Sequence, residues 1–448
     1  YRLYATDEVQ YFSYLRSVYF DGDLDFANEY AYFAEAGKQR GDMAVYNALL
    51  RPNDYDPPLN PRTGKYRNVA PVGSAILWAP FYVAADGLVR TANLFGAGIA
   101  ADGFSKPYIT AVCLASACYV LLGLLLSYRL ARRWASQRAA TLATLAVWLA
   151  SPLIWYTYVQ MPWSHGPSFG AVAVFLTLWL GPAELPVAEW AGNRSLGRWL
   201  ALGLAGGLLV MCREQLGLFL LLPAIEGLAA YWRRLRGRDW AALRGLALRH
   251  GLFLLVFALA LAPQLLAYNV LNGQPRPSGT VSGKLDPTSP HFFATLFSLE
   301  HGAFLWHPLL AVSLGGLALL WRRHGLIGAL LALGFVAQVY INGVISTWHL
   351  SGSFGFRRLI ECTPVFIAGL AALADLPRLP RKLAVAVAAL AIAWNAGLVL
   401  QSAVTRPAIR SDGLIWSGML RAQLEAPVRA WRKADALLFN RCELVKNC

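Results

Sequence analysis

Charge is what this 448-residue sequence has least of: Asp, Glu, Lys and Arg make up 15% of it, where an ordinary soluble domain carries about 25%. So little charge excludes a disordered chain, and it makes a string of soluble domains untenable. Cysteine is scarce too, with six residues. Cys113, Cys118, Cys212 and Cys362 fall in or beside apolar runs and read as small buried hydrophobes rather than as a disulfide framework. Cys442 and Cys448 sit close together in a polar tail, where an oxidising compartment would allow them to pair. No His/Cys spacing fits zinc, so no metal is expected. No repeat of fixed period runs through the chain, and no n-region or h-region of a leader opens it at Tyr1.

Apolar sequence is what it has in abundance. Hydrophobic residues make up 57%, with 16 Trp and 19 Tyr, and the mean hydropathy is +0.43. An all-α polytopic membrane protein is the class that fits, since Trp and Tyr collect at membrane interfaces. The formal net charge of +15 then belongs to cytoplasmic loops, where Lys and Arg set topology. Nucleic acid is not an expected partner, because no soluble basic domain exists to carry it.

Residues 1–70 form the most polar long stretch and hold Asp7, Glu8, Asp21, Asp23, Asp25 and Glu29. Residues 72–94 are apolar but are interrupted by Pro80, Asp86 and Arg90. They read either as a span or as a helix lying in the interface. Charge decides between the two. The clean span 107–129 is followed by Arg129, Arg132, Arg133 and Arg138, a basic cluster that belongs in the cytoplasm. Residues 95–106 then lie outside, and a flat 72–94 helix keeps residues 1–70 on the same side. Further spans are expected at about 138–158, 165–181, 198–212, 214–232, 249–270, 303–321, 325–345, 358–374 and 382–404, about ten in all. Their alternation puts Arg233-Arg234-Leu235-Arg236, Arg322-Arg323 and Arg378 with Arg381-Lys382 in cytoplasmic loops. The expected division is an outer loop domain over 1–106, a bundle over 107–404 and an amphipathic outer tail over 405–448.

Four polar constellations interrupt the apolar sequence, and all fall on the outer side of this topology. They are Asp7-Glu8, Pro162-Trp163-Ser164-His165, Arg213-Glu214-Gln215, and the run from Trp348-His349 through Gly352-Ser353-Phe354-Gly355 to Arg357-Arg358. Each has a plain reading: a helix start after Thr6, an interfacial histidine, an Arg213–Glu214 pair, and arginines snorkelling at a helix end. Their convergence on one side, at a depth where ionisable groups are costly, points instead to a single polar cavity. Two arginines beside a Gly/Ser-rich turn make a phosphate site, because guanidinium pairs with phosphate bidentately. A carboxylate and a phosphate site together fit transfer of a sugar from a lipid phosphate. The carboxylate takes the acceptor's proton and the cations hold the leaving phosphate.

Asp7-Glu8-Val9-Gln10-Tyr11 followed by Asp21-Gly22-Asp23-Leu24-Asp25 resembles the first outer loop of GT-C superfamily glycosyltransferases. That group includes protein O-mannosyltransferases and the aminoarabinose transferase acting on lipid A. The segment Pro71-Val72-Gly73 to Pro80-Phe81-Tyr82, Ser164-His165, Gly302 to His307-Pro308, and Gly352 to Arg358 also look like this family, in the right order between residues 7 and about 375. The resemblance implies a GT-C-like bundle whose first helix lies upstream of Tyr1, and a juxtamembrane 72–94 helix. It further implies a polyprenyl-phosphate sugar as donor and no cofactor or metal. Asp7 is then the expected base, with Glu8 orienting the acceptor or supporting Asp7. Arg357, Arg358 and Arg213 are expected on the lipid phosphate. His165, with Ser164 and His349, is expected in contact with donor or acceptor. Relatives often carry a Lys-Pro-Pro-like motif before the juxtamembrane helix, but here the nearest match is Asn68-Val69-Ala70-Pro71, which leaves Arg67 or Lys65 as the local cation.

The expected function is an inverting glycosyltransferase of the cell envelope. It would sit in a bacterial inner membrane with its site facing the exterior, acting on a glycan, lipid or protein acceptor. Two alternatives stand beside it. One is a structural subunit of a larger membrane complex that keeps the fold without catalysis. The other is a lipid-linked sugar flippase, which would call for inverted repeats with broken helices at the midplane.

Overall fold

The structure, a computed structural model, describes residues 3, 5–52, 57–182, 185–288, 290–350, 352–404, 413–414 and 416–435. Among them there is no β-strand, only two isolated antiparallel bridges, Leu59–Tyr66 and Leu285–Ile345. The protein is all-helical.

The first part of the chain folds as a small aromatic unit. Helix Thr6–Arg16 opens after Ala5, whose backbone N–H donates to Glu8 Oε2 at 3.1 Å. It widens into a π turn, Ser17–Asp21, and stops at Gly22 in the left-handed region (φ 73°). Arg16 then ties that turn to the next helix, Ala27–Lys38: it pairs with Asp21 and, at 3.0 Å, with Glu29. Phe12, Phe26, Tyr30, Trp78 and Tyr82 are buried in the core of this unit. Phe12 meets two of its neighbours edge-on, as quadrupoles prefer, 5.6 Å from Phe33 at 89° and 5.9 Å from Tyr82 at 75°.

Helix Gly73–Leu94 closes the unit and docks it on the bundle. Its Asp86 accepts hydrogen bonds from Tyr108 (2.6 Å), Arg90 (2.7 Å) and Tyr19 (2.9 Å). Burial works against its ionisation, but these donors outweigh burial and hold the carboxyl below the usual range. At its other end Gly73 sits directly on the backbone of Met211 and Cys212, where a Cβ has no room.

Helix Lys106–Ala131 belongs to both cores, its first half to the aromatic unit and its second half to the bundle. Around it pack His165–Trp179, Thr363–Ala374 and Gln137–Leu149, and Leu196–Cys212 packs in turn on His165–Trp179. Side-chain caps set several starts: Ser136, Ser195 and Asp239 accept from the amides of Ala139, Arg198 and Ala242. Helices Pro308–His324 and Thr363–Ala374 touch backbone to backbone at Gly316 and Gly369, a small-residue contact typical of membrane bundles.

Among the described residues five helices are long and apolar enough to cross a membrane: Lys106–Ala131, Glu214–Arg236, Trp240–Asn272, Leu326–Gly343 and Arg381–Ala403. The bent pair Val187–Asn193 and Leu196–Cys212, kinked by 108°, makes six if it counts as one span. The count of about ten expected from the sequence is therefore not reached by this measure. Several expected spans are short or broken: 138–158 divides into Gln137–Leu149 and Leu153–Tyr158, and Thr363–Ala374 has 12 residues. The protein is nonetheless an integral membrane protein by its long apolar helices. In the tail, helix Met419–Arg432 folds back on Arg381–Val404, where Gln423 Nε2 donates to the Trp394 carbonyl at 3.2 Å. Cys442 and Cys448 lie outside the described residues.

Candidate active site

One cavity, of about 510 Å³, lies where the aromatic unit meets the bundle. Its charged lining comes from four separate stretches of chain: Asp7; Arg213 and Glu214; Lys284; and Arg357 with Arg358. Apolar side chains, among them Leu218, Val281, Leu285, Ile341 and Ile345, complete the wall. A ligand with a charged head and a hydrocarbon tail matches such a lining.

Asp7 and Glu8 part company. Asp7 reaches the cavity with its side chain 45% exposed and lies 3.7 Å from Arg357 Nη2. Glu8 is buried and turned toward the amide of Ala5, where it caps the helix. Neighbouring helix positions lie about 100° apart, so one of the pair faces the cavity and the other does not.

The arginines are held from behind by the Pro162-Trp163-Ser164-His165 segment. The Arg357 guanidinium lies 4.2 Å from the centre of the Trp163 ring. Arg213 Nη1 donates to Ser164 Oγ at 3.0 Å. His165 Nδ1 is 2.9 Å from Glu361 Oε1, and Ser168 Oγ donates to the same oxygen at 2.7 Å. That carboxylate lies 3.5 Å from Arg213 Nε. Ser164 and His165 are thus fully buried and do not line the cavity. They lie behind it, and His165 and Arg213 share the Glu361 carboxylate. Arg358 is fixed from another direction, donating to the Thr347 carbonyl (3.2 Å) and hydroxyl (2.9 Å).

The other expected residues stand apart. His349 accepts through its carbonyl from His301 Nδ1 at 2.6 Å and packs edge-on to Trp348, away from the cavity lining. Arg67 does not line the cavity; its carbonyl accepts from Tyr30 OH at 3.0 Å. Lys65 pairs with Asp25 at 3.2 Å. Arg213 and Glu214 do not pair with each other: Arg213 takes Ser164 and Glu361, while Glu214 accepts from Tyr268 OH.

Two residues escape the sequence reading. Glu361, 196 residues from His165, follows Arg357 by one helical turn in an otherwise apolar stretch. An acidic residue there is the one signal that marks it. Lys284 lies in a polar loop, where a lysine signals nothing. Among the described residues no group of His, Cys, Asp and Glu is arranged to hold a metal ion.

The fold is thus a helical membrane bundle with an aromatic loop unit folded over a cationic cavity. A solved structure displays it: ArnT from Cupriavidus metallidurans bound to undecaprenyl phosphate superposes with a TM-score of 0.54, at 18% identity over 99% of this chain and 70% of that chain. The apo-state structure of ArnT from the same organism aligns with a TM-score of 0.48 at 18% identity, with the same coverage. No protein-family model matches the sequence, and no curated protein does.

Proposed function

We propose that the protein is an inverting glycosyltransferase that moves a sugar from a polyprenyl-phosphate carrier to an acceptor at the outer face of a bacterial inner membrane. One observation carries this reading: a carboxylate and three arginines from distant parts of the chain share one cavity that also has an apolar wall. The fold adds support, since its solved neighbour binds undecaprenyl phosphate. Orientation is supported by the basic clusters. Helix Leu221–Arg236 leaves the cavity region at Gly217–Leu218 and ends in Arg233, Arg234 and Arg236. Helix Leu326–Gly343 begins just past Arg322 and Arg323 and returns to the cavity at Ile341. Arginine-rich ends belong in the cytoplasm, so the cavity faces out.

In this reading Asp7 accepts the proton of an acceptor hydroxyl or amine while the acceptor atom bonds to the sugar's C1. The bond from C1 to the phosphate oxygen breaks, its electron pair leaves with the phosphate, and the anomeric centre inverts. Arginine side chains stabilise the charge that grows on that oxygen, and each does so with little reorganisation because Trp163, Ser164 and Thr347 already hold it. Before the donor arrives, Arg357 faces Asp7. An incoming phosphate competes for that guanidinium and frees the carboxylate for the acceptor. Acceptor contacts fall to the first loop and to the walls near Gln10, Tyr11 and Glu214.

The test is transfer of radiolabelled sugar from a panel of polyprenyl-phosphate donors by purified protein in lipid, wild type beside Asp7→Asn. The expected result is a loss of roughly 10²–10⁴-fold in the variant, with undecaprenyl phosphate still bound. A folded Asp7→Asn protein that transfers at the wild-type rate overturns the role of Asp7. Binding of neither carrier nor donor by the wild type would turn the reading toward a structural subunit.

A further inference from the structure

The four cations of the cavity are not equivalent. Arg213 faces Glu361 at 3.5 Å, and Arg357 faces Asp7 at 3.7 Å, so each has a carboxylate to balance it. Arg358 is held by the carbonyl and hydroxyl of Thr347, which orient it without neutralising it. Lys284 is half-buried in the cavity wall, and among the described residues no ion pair engages its ammonium. Among the described residues Arg358 and Lys284 are therefore the two cavity cations that no carboxylate pairs with.

These two residues are anchored to the same short piece of chain. Lys284 lies on a strap that follows helix Gly279–Ser282. The Lys284 carbonyl accepts from Ser346 N–H at 2.7 Å, Leu285 bridges Ile345, and Asp286 N–H donates to the Val344 carbonyl at 2.7 Å. Thr347, which holds Arg358, is the next residue after Ser346. Backbone pairing for Lys284 and side-chain donation by Arg358 thus fix both cations to one stretch, 344–347, although they stand 74 positions apart in sequence (284 and 358). Next to Lys284 the same strap contributes Val281 and Leu285, and the facing segment contributes Ile341 and Ile345. The ammonium therefore sits where the polar part of the cavity gives way to the apolar part, the boundary at which a lipid phosphate joins its hydrocarbon tail.

We propose that Lys284, together with Arg358, binds the phosphate of the lipid-linked donor, and that the strap carrying it packs Val281 and Leu285 against the first part of the polyprenyl chain. This rests on the glycosyltransferase reading and adds to it. Two unbalanced cations match the two negative charges that the phosphate carries once the sugar has left. Arg357, drawn from Asp7 by the arriving phosphate, then completes the contacts to that phosphate on the side of the reacting atoms. Lys284 acts as a point charge on a flexible stem, so arginine at the same position keeps the charge and a neutral side chain does not.

The experiment measures the dissociation constant of undecaprenyl phosphate for the purified full chain in nanodiscs, for wild type, Lys284→Ala, Lys284→Arg and Arg357→Ala. Competition by inorganic phosphate and by uncharged polyprenol separates recognition of the head from recognition of the tail. Among the described residues Lys284 has no ion pair to lose, so its variants are expected to fold, and thermal unfolding verifies this. Expected are a weakening of about tenfold or more for Lys284→Ala and recovery to within a few-fold for Lys284→Arg. The affinity for polyprenol should be unchanged, and the salt dependence of binding should be shallower in Lys284→Ala. If wild type binds, Arg357→Ala weakens binding and Lys284→Ala binds like wild type, the role of Lys284 is overturned and the functional reading stands. If wild type itself does not bind, both fall. Equal weakening for polyprenol and for the phosphate would overturn the charge assignment in favour of a packing role for the strap.

Discussion

Glu29 shows what burying a carboxylate costs this protein. Its side chain has no exposed surface, Arg16 reaches only one of its oxygens, and the other has no hydrogen-bond partner among the described residues. Burial pushes its pKa from 4.5 up to about 7, against the pull of Arg16. A carboxyl raised in the folded state contributes stability that is complete below its unfolded value and is lost as pH rises through the folded one. The first loop should therefore be firmer near pH 4.5 than near pH 8, by roughly 3 kcal/mol for this group. Thermal unfolding and limited proteolysis of the purified protein across that range should show the slope, and Glu29→Gln should flatten it. A variant with the wild-type slope would show that other groups set it. The same loop shows why residue type alone does not separate two adjacent acids, and why it was the family resemblance that singled out Asp7. Asp7 and Glu8 differ only in helical phase, and that phase is fixed by aromatic packing of Phe12 and Tyr11 from outside the helix. Arg213, Arg357 and Arg358 were legible for the opposite reason: charges in apolar or punctuated sequence stand out without any knowledge of neighbours.

Gly73 is where the juxtamembrane helix meets the bundle, and it has no freedom to be anything larger. A Cβ there would strike the backbone of Met211 and Cys212, which cannot swing aside as a side chain would. Arg213 is the next residue, so a displaced helix end moves a cavity cation. Gly73→Ala is expected to cost about 1–3 kcal/mol and to weaken undecaprenyl phosphate binding. Gly87, in the same helix, has nothing within 4 Å of its would-be Cβ. Gly87→Ala should be neutral or stabilise by up to ~1 kcal/mol. Unfolding temperatures and binding of both variants check the contrast, and a Gly73→Ala protein that matches Gly87→Ala would remove the claimed contact. Helix order along the chain was readable in advance because apolar runs and arginine clusters alternate. Helix continuity was not. Hydropathy sums over a run and does not register the break at Ala150-Ser151-Pro152 or the 3₁₀ turn Arg357–Cys362 that delays helix Thr363–Ala374.

The bundle separates what holds it together from what acts. Helix His165–Trp179 begins at the base of the cavity, and its 15 residues carry the chain about 21 Å away from it. There Trp179 and Arg194 converge on Glu226: Glu226 Oε2 accepts from Trp179 Nε1 at 2.8 Å and from Arg194 Nη2 at 3.1 Å. Arg194 also donates to the Trp179 carbonyl and lies 4.4 Å from the centre of the Trp199 ring. Both charges are buried, yet Glu226 Oε1 and Arg194 Nε and Nη1 have no hydrogen-bond partner among the described residues. Such a pair does little for net stability, while breaking it strands the survivor. Arg194→Met should therefore destabilise by about 3–5 kcal/mol, and Arg194→Met with Glu226→Met should recover most of that loss. Binding of undecaprenyl phosphate per folded molecule should stay at the wild-type value in both, because no cavity residue belongs to this network. Unfolding in detergent measures the first effect, and binding normalised to the folded fraction measures the second. A double variant as unstable as the single one would mean that the pair earns its place by specifying how the short helix Val187–Asn193 seats against the bundle. Lost binding in well-folded protein would mean that the two ends of the bundle communicate through His165–Trp179, with Glu361 and Arg213 as the receiving end.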